Sequence, residues 1–158
     1  MGILIGILIA AAAVILLVAY VVFRRGFVVP REATRDPHRL PEGEPYLSYQ
    51  VMLHQMIEDT VNLPFEDIYT VTPDGLKLHG RYYETKPGAP FQILFHGYHS
   101  SGFRDFSGGL HLALNAGYNV ILVDQRAHGW SEGRFLTFGI RESEDVQSWV
   151  AYTGERFG

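Results

Sequence analysis

Residues 91–102 read FQILFHGYHSSG, and this stretch indicates the fold more directly than any other part of the chain. Phe91–Phe95 is a short, largely apolar run, typical of a strand that is buried on both faces of a sheet. Gly97 allows the backbone to turn tightly after that strand, and polar residues follow it. Because ligands of α/β proteins bind at the carboxyl ends of strands, we expect a ligand-facing loop here.

The sequence after this loop predicts a helix and then a second buried strand. The helix is predicted over Asp105–Asn115, with a glycine stop at Ala116-Gly117, and the strand over Asn119–Asp124. Two apolar strands joined by a helix form a right-handed parallel crossover. A further helix is predicted between Arg141 and Gly158, because its apolar residues recur at helical spacing.

The sequence before Phe91 predicts an antiparallel hairpin. Its strands are Asp67–Thr72 and Leu76–Glu84, on either side of the turn residues Pro73-Asp74-Gly75. An amphipathic helix is predicted over Tyr46–Asn62. The fold class is therefore α/β, with an antiparallel hairpin, parallel strands and crossover helices. Such a sheet needs more than two parallel strands, so we interpret residues 46–158 as a partial domain, the N-terminal half of a larger one.

The N-terminal segment is predicted to be one transmembrane helix. Ile3–Phe23 is an uninterrupted apolar run, and residues 1–23 carry no charged side chain. About 20 apolar residues in a helix span the hydrocarbon core of a bilayer. A cleaved signal peptide is the stronger alternative, but no basic residue precedes the run and it exceeds the usual length. A buried core helix is the weaker one.

Residues 24–45 are predicted to be a proline-rich linker. Prolines at this density prevent a continuous helix and favour an extended tether; they are Pro30, Pro37, Pro41 and Pro45. Arginines follow the apolar run whereas neither Lys nor Arg precedes it. By the positive-inside rule, we expect a single-pass membrane protein whose C-terminal domain is cytoplasmic.

Composition limits the function classes. Lys+Arg 13 against Asp+Glu 17 leaves a net charge of −4, which argues against nucleic acid as a partner. The absence of cysteine excludes disulfides, thiolate catalysis and cysteine-ligated metals.

A second polar loop, DQRAHGWSEG at 124–133, directly follows the strand Asn119–Asp124. Together with the loop HGYHSSG at 96–102, it resembles the α/β-hydrolase family of serine hydrolases, in particular membrane-anchored bacterial esterase- or peptidase-like members. The resemblance covers about Phe65–Gly158, somewhat over half of the chain. Ala127 stands where many members have glycine, a departure that concerns the geometry of the turn.

The resemblance implies an acyl hydrolase that needs neither cofactor nor metal. In that family the backbone N–H of the residue after the His-Gly pair, here Tyr98, donates to the developing oxyanion. The other residues of the two loops are expected to organise the site structurally: His96, Gly97, Asp124, Arg126 and His128. The whole protein is then expected to hydrolyse an ester, thioester or amide of a small acyl compound or peptide through an acyl-enzyme.

The stretch Gly129–Gly133 matches G-x-S-x-G, the pattern of a nucleophile elbow, but its context differs. An elbow needs a strand that runs directly into the first glycine and a helix that starts after the serine. Here Gln125–His128 intervene and no helix is predicted after Ser131. We therefore expect the serine, acid and histidine of the triad beyond Gly158, and no hydrolase activity from residues 1–158 alone.

Two other function classes remain open at this stage. A metal-dependent hydrolase is conceivable from the imidazoles and carboxylate of His96, His99, Asp124 and His128. A non-catalytic, membrane-tethered binding or scaffold domain is the other alternative. Four aromatic residues are candidates for an apolar pocket, although ordinary packing is preferred for them: Tyr82, Tyr83, Trp130 and Phe135. Helix capping is the preferred role for Ser100 or Ser101.

Overall fold

The computed structural model describes residues 1–158 and consists of four strands and six helices. The strands are β1 (Glu66–Val71), β2 (Lys77–Tyr83), β3 (Phe91–Phe95) and β4 (Asn119–Val123). The helices are α1 (Gly2–Phe27), α2 (Arg31–Arg35), α3 (Glu44–Leu47), α4 (Gln50–Val61), α5 (Gly102–Asn115) and α6 (Glu142–Phe157). The predicted hairpin, both later strands and the two helices after β3 are thereby confirmed, and α5 begins three residues earlier than predicted. The single helix predicted over Tyr46–Asn62 is instead divided into α3 and α4.

The strands form one mixed sheet in the order β1-β2-β4-β3. β1 and β2 are antiparallel, β2 and β4 are antiparallel, and β3 and β4 are parallel. The parallel pair runs in register from Phe91 opposite Asn119 to Phe95 opposite Val123, and α5 connects its two strands. This confirms the predicted α/β class with an antiparallel hairpin at one side of a parallel crossover.

The two parallel strands differ in burial. β4 lies between β2 and β3, and all five of its residues are buried. Within residues 1–158, β3 forms the edge of the sheet and all its residues are half-buried. Burial of β3 on both faces stays a prediction for the larger domain.

Helices cover the sheet on both faces, and alternate residues of β4 serve the two sides. Ile121 and Val123 pack with Trp149 of α6 on one face. Val120 and Leu122 pack with Phe103, Leu110 and Ala113 of α5 on the other. The carboxyl ends of β3 and β4 therefore open between two packed layers, where the two polar loops begin.

The N-terminal helix is longer than the apolar run that predicts it. α1 extends to Phe27, past Arg24 and Arg25, and none of its residues is buried. It is long and apolar enough to cross a membrane by length and composition, criteria that a signal sequence also meets.

The linker departs from the predicted extended tether. Instead of remaining free, α2 lies against the second polar loop: the Arg31 guanidinium donates to the carbonyl oxygens of Ser131 (2.9 Å) and Gly133 (2.8 Å). Thr34 is buried and its hydroxyl accepts from the N–H of Gly129 at 2.9 Å. Proline does not prevent this because Pro30 precedes the helix, where its missing N–H costs no hydrogen bond.

Candidate active site

The two polar loops meet through His96, a buried residue directly after β3. Its Nε2 accepts from the backbone N–H of Gln125 at 3.2 Å, and the side-chain amide of Gln125 donates to the His96 carbonyl oxygen. Since Nε2 accepts, the proton lies on Nδ1, which donates to the carbonyl oxygen of Gly97 at 2.9 Å. Burial lowers the pKa of His96, so the ring that joins the two loops is neutral at pH 7.

The backbone N–H of Tyr98 is a free donor at the carboxyl end of β3. The neighbouring N–H of Gly97 donates to Oδ2 of Asp105 at 2.6 Å, whereas the N–H of Tyr98 donates to no group of the chain. Asp105 is held in turn by the hydroxyl of Ser100, which donates to Oδ1 at 2.5 Å. Ser101 accepts from the N–H of Arg104 and is the N-cap of α5, the capping role that the sequence favoured.

The side chain of Tyr98 binds α1. Its hydroxyl donates to the carbonyl oxygens of Arg25 (3.0 Å) and Gly26 (3.1 Å), which as carbonyls of a helix end lack intrahelical partners. Its ring stacks on His99 with centroids 4.0 Å apart. The same residue thus offers a backbone donor to the site and anchors the N-terminal helix beside it.

A cavity of about 190 Å³ lies where the two loops meet. It is lined by residues of both loops and of the segment that follows them: His96, Gly97, Tyr98, Gln125, His128, Leu136, Phe138, Gly139 and Glu142. Polar groups converge there beside apolar side chains, as in small-molecule sites.

His128 contributes a second neutral imidazole to this cavity. Its Nδ1 donates to the carbonyl oxygen of Arg126 at 2.9 Å, and its buried Nε2 has no partner in the chain. The ring lies edge-on to His96, with centroids 4.7 Å apart. Burial, together with the neighbouring His96, lowers the pKa of His128 to about 4. His128 is therefore uncharged at neutral pH.

No family profile matches the sequence, but solved structures resemble the fold. A Pyrococcus furiosus esterase is similar over 63% of this chain and 38% of its own, with 29% identity and a TM-score of 0.57. A second crystal form of that esterase matches 82% of this chain and 44% of its own at 24% identity, with a TM-score of 0.59. The α/β hydrolase GrgF of a Penicillium species matches 60% of this chain and 33% of its own, at 24% identity with a TM-score of 0.55.

The fold is that of the α/β-hydrolase family. The resemblance that the two loops indicated is thereby confirmed. The chain spans less than half of the length of the esterase structures it matches, and this partial coverage fits an N-terminal half.

Within this α/β-hydrolase fold, Ser131 lies at a buried turn rather than at a nucleophile elbow. Its hydroxyl donates to the carbonyl oxygen of Asp124 at 2.5 Å and accepts from the N–H of His79 at 2.8 Å, and the residue is 1% exposed. The turn needs Gly129, which has φ +48° and whose missing Cβ would collide with the Asp124 carboxylate. Ala127 adopts φ +66°, a left-handed conformation that explains why glycine is common there in the family.

The sequence analysis missed His79, the residue that holds Asp124. His79 is 2% exposed and lies between two carboxylates, with Nδ1 2.8 Å from Oδ2 of Asp124 and Nε2 2.8 Å from Oδ1 of Asp67. Although burial on its own raises the pKa of Asp124, hydrogen bonds from His79 and from the N–H of Trp130 lower it below its usual value. No local signal marked His79, because a single histidine in a strand has the same pattern whether it is buried or exposed.

Arg126 joins the second loop to two distant elements. The buried guanidinium makes two hydrogen bonds to Asp145 of α6, at 2.6 and 2.7 Å, and reaches Asp74 of the hairpin turn at 3.1 Å. A hydrogen bond from Thr72 and the Arg126 charge lower the pKa of Asp74. The loop is thus fixed by charge-assisted hydrogen bonds on both sides of the sheet end.

The remaining candidates lie apart from the cavity or do not converge. No group of three or more His, Asp or Glu side chains is placed to hold a metal ion. Tyr82 and Tyr83 pack into opposite faces of the sheet. The Arg35 guanidinium carbon lies 4.4 Å from the centroid of the Trp130 ring, and the Phe135 ring packs against that of Phe23. Tyr82 and Tyr83 therefore have packing roles, as the sequence analysis preferred, whereas Trp130 and Phe135 are partly exposed.

Proposed function

We propose that this chain is the N-terminal part of a membrane-anchored serine hydrolase that cleaves an ester, thioester or amide through an acyl-enzyme. The similarity to esterase and hydrolase structures supports hydrolase activity in general. The nucleophilic serine, the acid and the histidine are proposed to lie C-terminal to Gly158, because no strand–elbow–helix unit occurs in residues 1–158.

The free N–H of Tyr98 is the single observation that carries this proposal. It lies at the carboxyl end of β3, and Tyr98 lines the cavity. The neighbouring N–H of Gly97 is already bound by Asp105. An acyl-transfer site needs such preorganised donors for the charge that develops on the carbonyl oxygen.

The proposed reaction uses this donor in both of its steps. The serine oxygen attacks the acyl carbon, its proton passes through the histidine to the leaving group, and the alcohol, thiol or amine departs. Water then attacks the acyl-enzyme and releases the carboxylic acid. In each step the Tyr98 N–H stabilises the oxyanion of the tetrahedral intermediate, as one of two donors.

We also propose that α1 is an uncleaved anchor and that residues 28–158 face the cytoplasm. Support comes from the length and apolar composition of the helix and from arginines only on its C-terminal side. Because the chain has no cysteine, a single cysteine at Lys86 reports topology. An impermeant maleimide should label it only after the cells are opened, and labelling of intact cells would reverse the orientation.

Fluorophosphonate labelling of the complete protein tests the hydrolase proposal. We expect one labelled serine outside residues 1–158, and labelling that persists in Ser131→Ala. The matched control is residues 1–158 alone, which should not react. Loss of labelling in a folded Ser131→Ala variant would instead assign the nucleophile to the second loop, and absence of any labelling would refute a serine mechanism.

A further inference from the structure

We propose that the segment Phe135–Ile140, here called the aromatic loop, lies in the interfacial layer of the bilayer beside α1. The cavity is thereby presented to long-chain acyl esters of membrane lipids. This inference rests on the proposed function, since it takes α1 as a membrane anchor and the cavity as part of an acyl hydrolase site.

Direct contacts fix the aromatic loop to the end of α1. The rings of Phe135 and Phe23 have centroids 5.3 Å apart, and those of Phe138 and Phe27 are 5.1 Å apart. The N–H of Leu136 donates to the carbonyl oxygen of Phe27 at 3.0 Å. The loop therefore follows the last turn of α1 rather than approaching it at one point.

These contacts set the height of the loop relative to a bilayer. Phe23 is the last residue of the apolar run, so it lies at the boundary of the hydrocarbon core when α1 spans the membrane. Phe27 lies about 6 Å further along the axis, at a rise of 1.5 Å per residue. The polar layer on each side of the core is about 5–8 Å thick. Phe135 and Phe138 consequently fall within that layer, where aromatic side chains are enriched.

The exposed surface of the loop suits such an environment. Phe138 is 63% exposed and Ile140 74% exposed, so no other part of residues 1–158 covers these large apolar side chains. Three exposed arginines lie next to these aromatic residues in the sequence and have no carboxylate partner in this structure: Arg24, Arg25 and Arg134. Apolar side chains between unpaired cations match an anionic bilayer surface, which attracts basic residues next to a membrane helix.

The position of the cavity extends the inference to the substrate. Leu136 and Phe138 line the cavity together with Tyr98, whose hydroxyl binds the carbonyl oxygens of Arg25 and Gly26. The Tyr98 hydroxyl is thus held within about one helical turn of the hydrocarbon boundary, and the backbone N–H of the same residue is the proposed oxyanion donor. An acyl chain leaving the bilayer would meet the apolar side of the cavity first, which favours esters of membrane lipids over water-soluble ones.

A depth measurement tests the membrane position without reference to activity. Spin labels are attached to single cysteines that replace Val14, Phe138 or Lys86, in the full chain in vesicles of phosphatidylcholine and phosphatidylglycerol. Collisions with oxygen and with a water-soluble nickel complex report depth. We expect Val14 in the hydrocarbon core, Phe138 in the interfacial layer and Lys86 in water, because Lys86 precedes β3 at the opposite end of the sheet.

The outcomes of this measurement are distinct. A Phe138 label as accessible to the nickel complex as the Lys86 label would overturn the inference. So would a Phe138 label shielded from both reagents, since protein would then cover the loop. A Val14 label in water would refute the membrane anchor and this inference, whereas the hydrolase chemistry is tested separately by fluorophosphonate labelling.

A second experiment tests the substrate class in the complete hydrolase. Phe135 does not line the cavity, so Phe135→Asp should weaken contact with the bilayer without altering the site. We expect about a tenfold or greater loss on a long-chain acyl ester embedded in vesicles, with little change on a short-chain soluble ester. Phe135→Trp should restore the vesicle activity. Equal loss on both substrates, or none on either, overturns the inference. A wild-type protein that is inactive on esters, thioesters and amides and is not labelled by a fluorophosphonate contradicts the proposed function instead.

Discussion

The hydroxyl oxygen of Tyr98 lies 3.0 Å from the carbonyl oxygen of Arg25, so the loop after β3 holds the end of the N-terminal helix. The backbone N–H of the same tyrosine is the free donor of the cavity. The N-terminal helix and the candidate site therefore both contact Tyr98. The role of its side chain can be tested separately from the role of its backbone N–H.

This separation leads to a matched pair of variants in the complete protein. Tyr98→Pro removes the backbone donor, and we expect kcat to fall about 100- to 1,000-fold. Tyr98→Phe keeps the donor and removes only the bond to α1, so kcat should remain within severalfold while proteolysis between residues 24 and 30 becomes faster. Steady-state kinetics and limited proteolysis measure the two effects. Equal losses of kcat in both variants would argue against a role for the N–H.

The segment that contains α2 is bonded to the second polar loop, so we expect the stable domain to begin before α2 rather than at Tyr46. A soluble piece of residues 28–158 keeps the bonds of Arg31, Thr34 and Arg35 to the second loop, whereas residues 46–158 lose them. We expect a cooperative melting transition with the higher Tm for the longer piece, measured by circular dichroism. Equal Tm values would show that the segment only rests on the surface. A stable shorter piece would also strengthen the non-catalytic, scaffold alternative.

The buried pair of Arg126 and Asp145 should contribute far more stability than an exposed one. Arg126→Met leaves Asp145 buried without its partner, and we expect a loss of about 3–5 kcal/mol in the free energy of unfolding. The matched control is Arg156→Met, which breaks the exposed pair with Glu66 and should cost about 0–1 kcal/mol. Urea denaturation of residues 28–158 measures both. Similar losses in the two variants would contradict the difference in burial.

The stability of the domain should fall in mildly acidic solution. The pKa of His128 is about 4 in the folded state against 6.5 for the free side chain, so between these values the unfolded state binds more protons. The contribution of neutral His128 to the free energy of unfolding is full above pH 6.5. It declines by about 1.4 kcal/mol per pH unit as the pH falls towards 4. His96, whose pKa is also lowered, acts in the same direction.

Urea denaturation at several pH values checks this expectation, with His128→Gln as the control. The free energy of unfolding of the variant should change less with pH between pH 6.5 and 4 than that of the wild type. Asp74 and Asp124 do not mimic the effect, because their pKa values are lowered from 3.8 and their contributions are lost only at more acidic pH. An unchanged slope in His128→Gln would show that another group is responsible.

Much of the fold could be predicted from local patterns. The apolar runs at Phe91–Phe95 and Asn119–Val123, the Pro73-Asp74-Gly75 turn and the glycine stop after α5 each act within a few residues, so a sequence displays them directly. The positions of the two polar loops followed in the same way. Ser131 could be recognised as part of a turn because an elbow requires a strand and a helix immediately beside the serine.

Contacts between distant residues were decided only by the tertiary structure. β2 paired with β4 across about 40 residues, His79 reached Asp124 across 45, and Arg31 reached Ser131 across 100. Such contacts depend on how packed layers bring chain segments together, and a single histidine or arginine in a sequence does not indicate its partner. The sequence by itself determined the elements and the loops that carry polar groups. The tertiary structure decided which groups are buried, which are paired, and that the Tyr98 N–H is free, because burial and pairing are properties of the assembled fold.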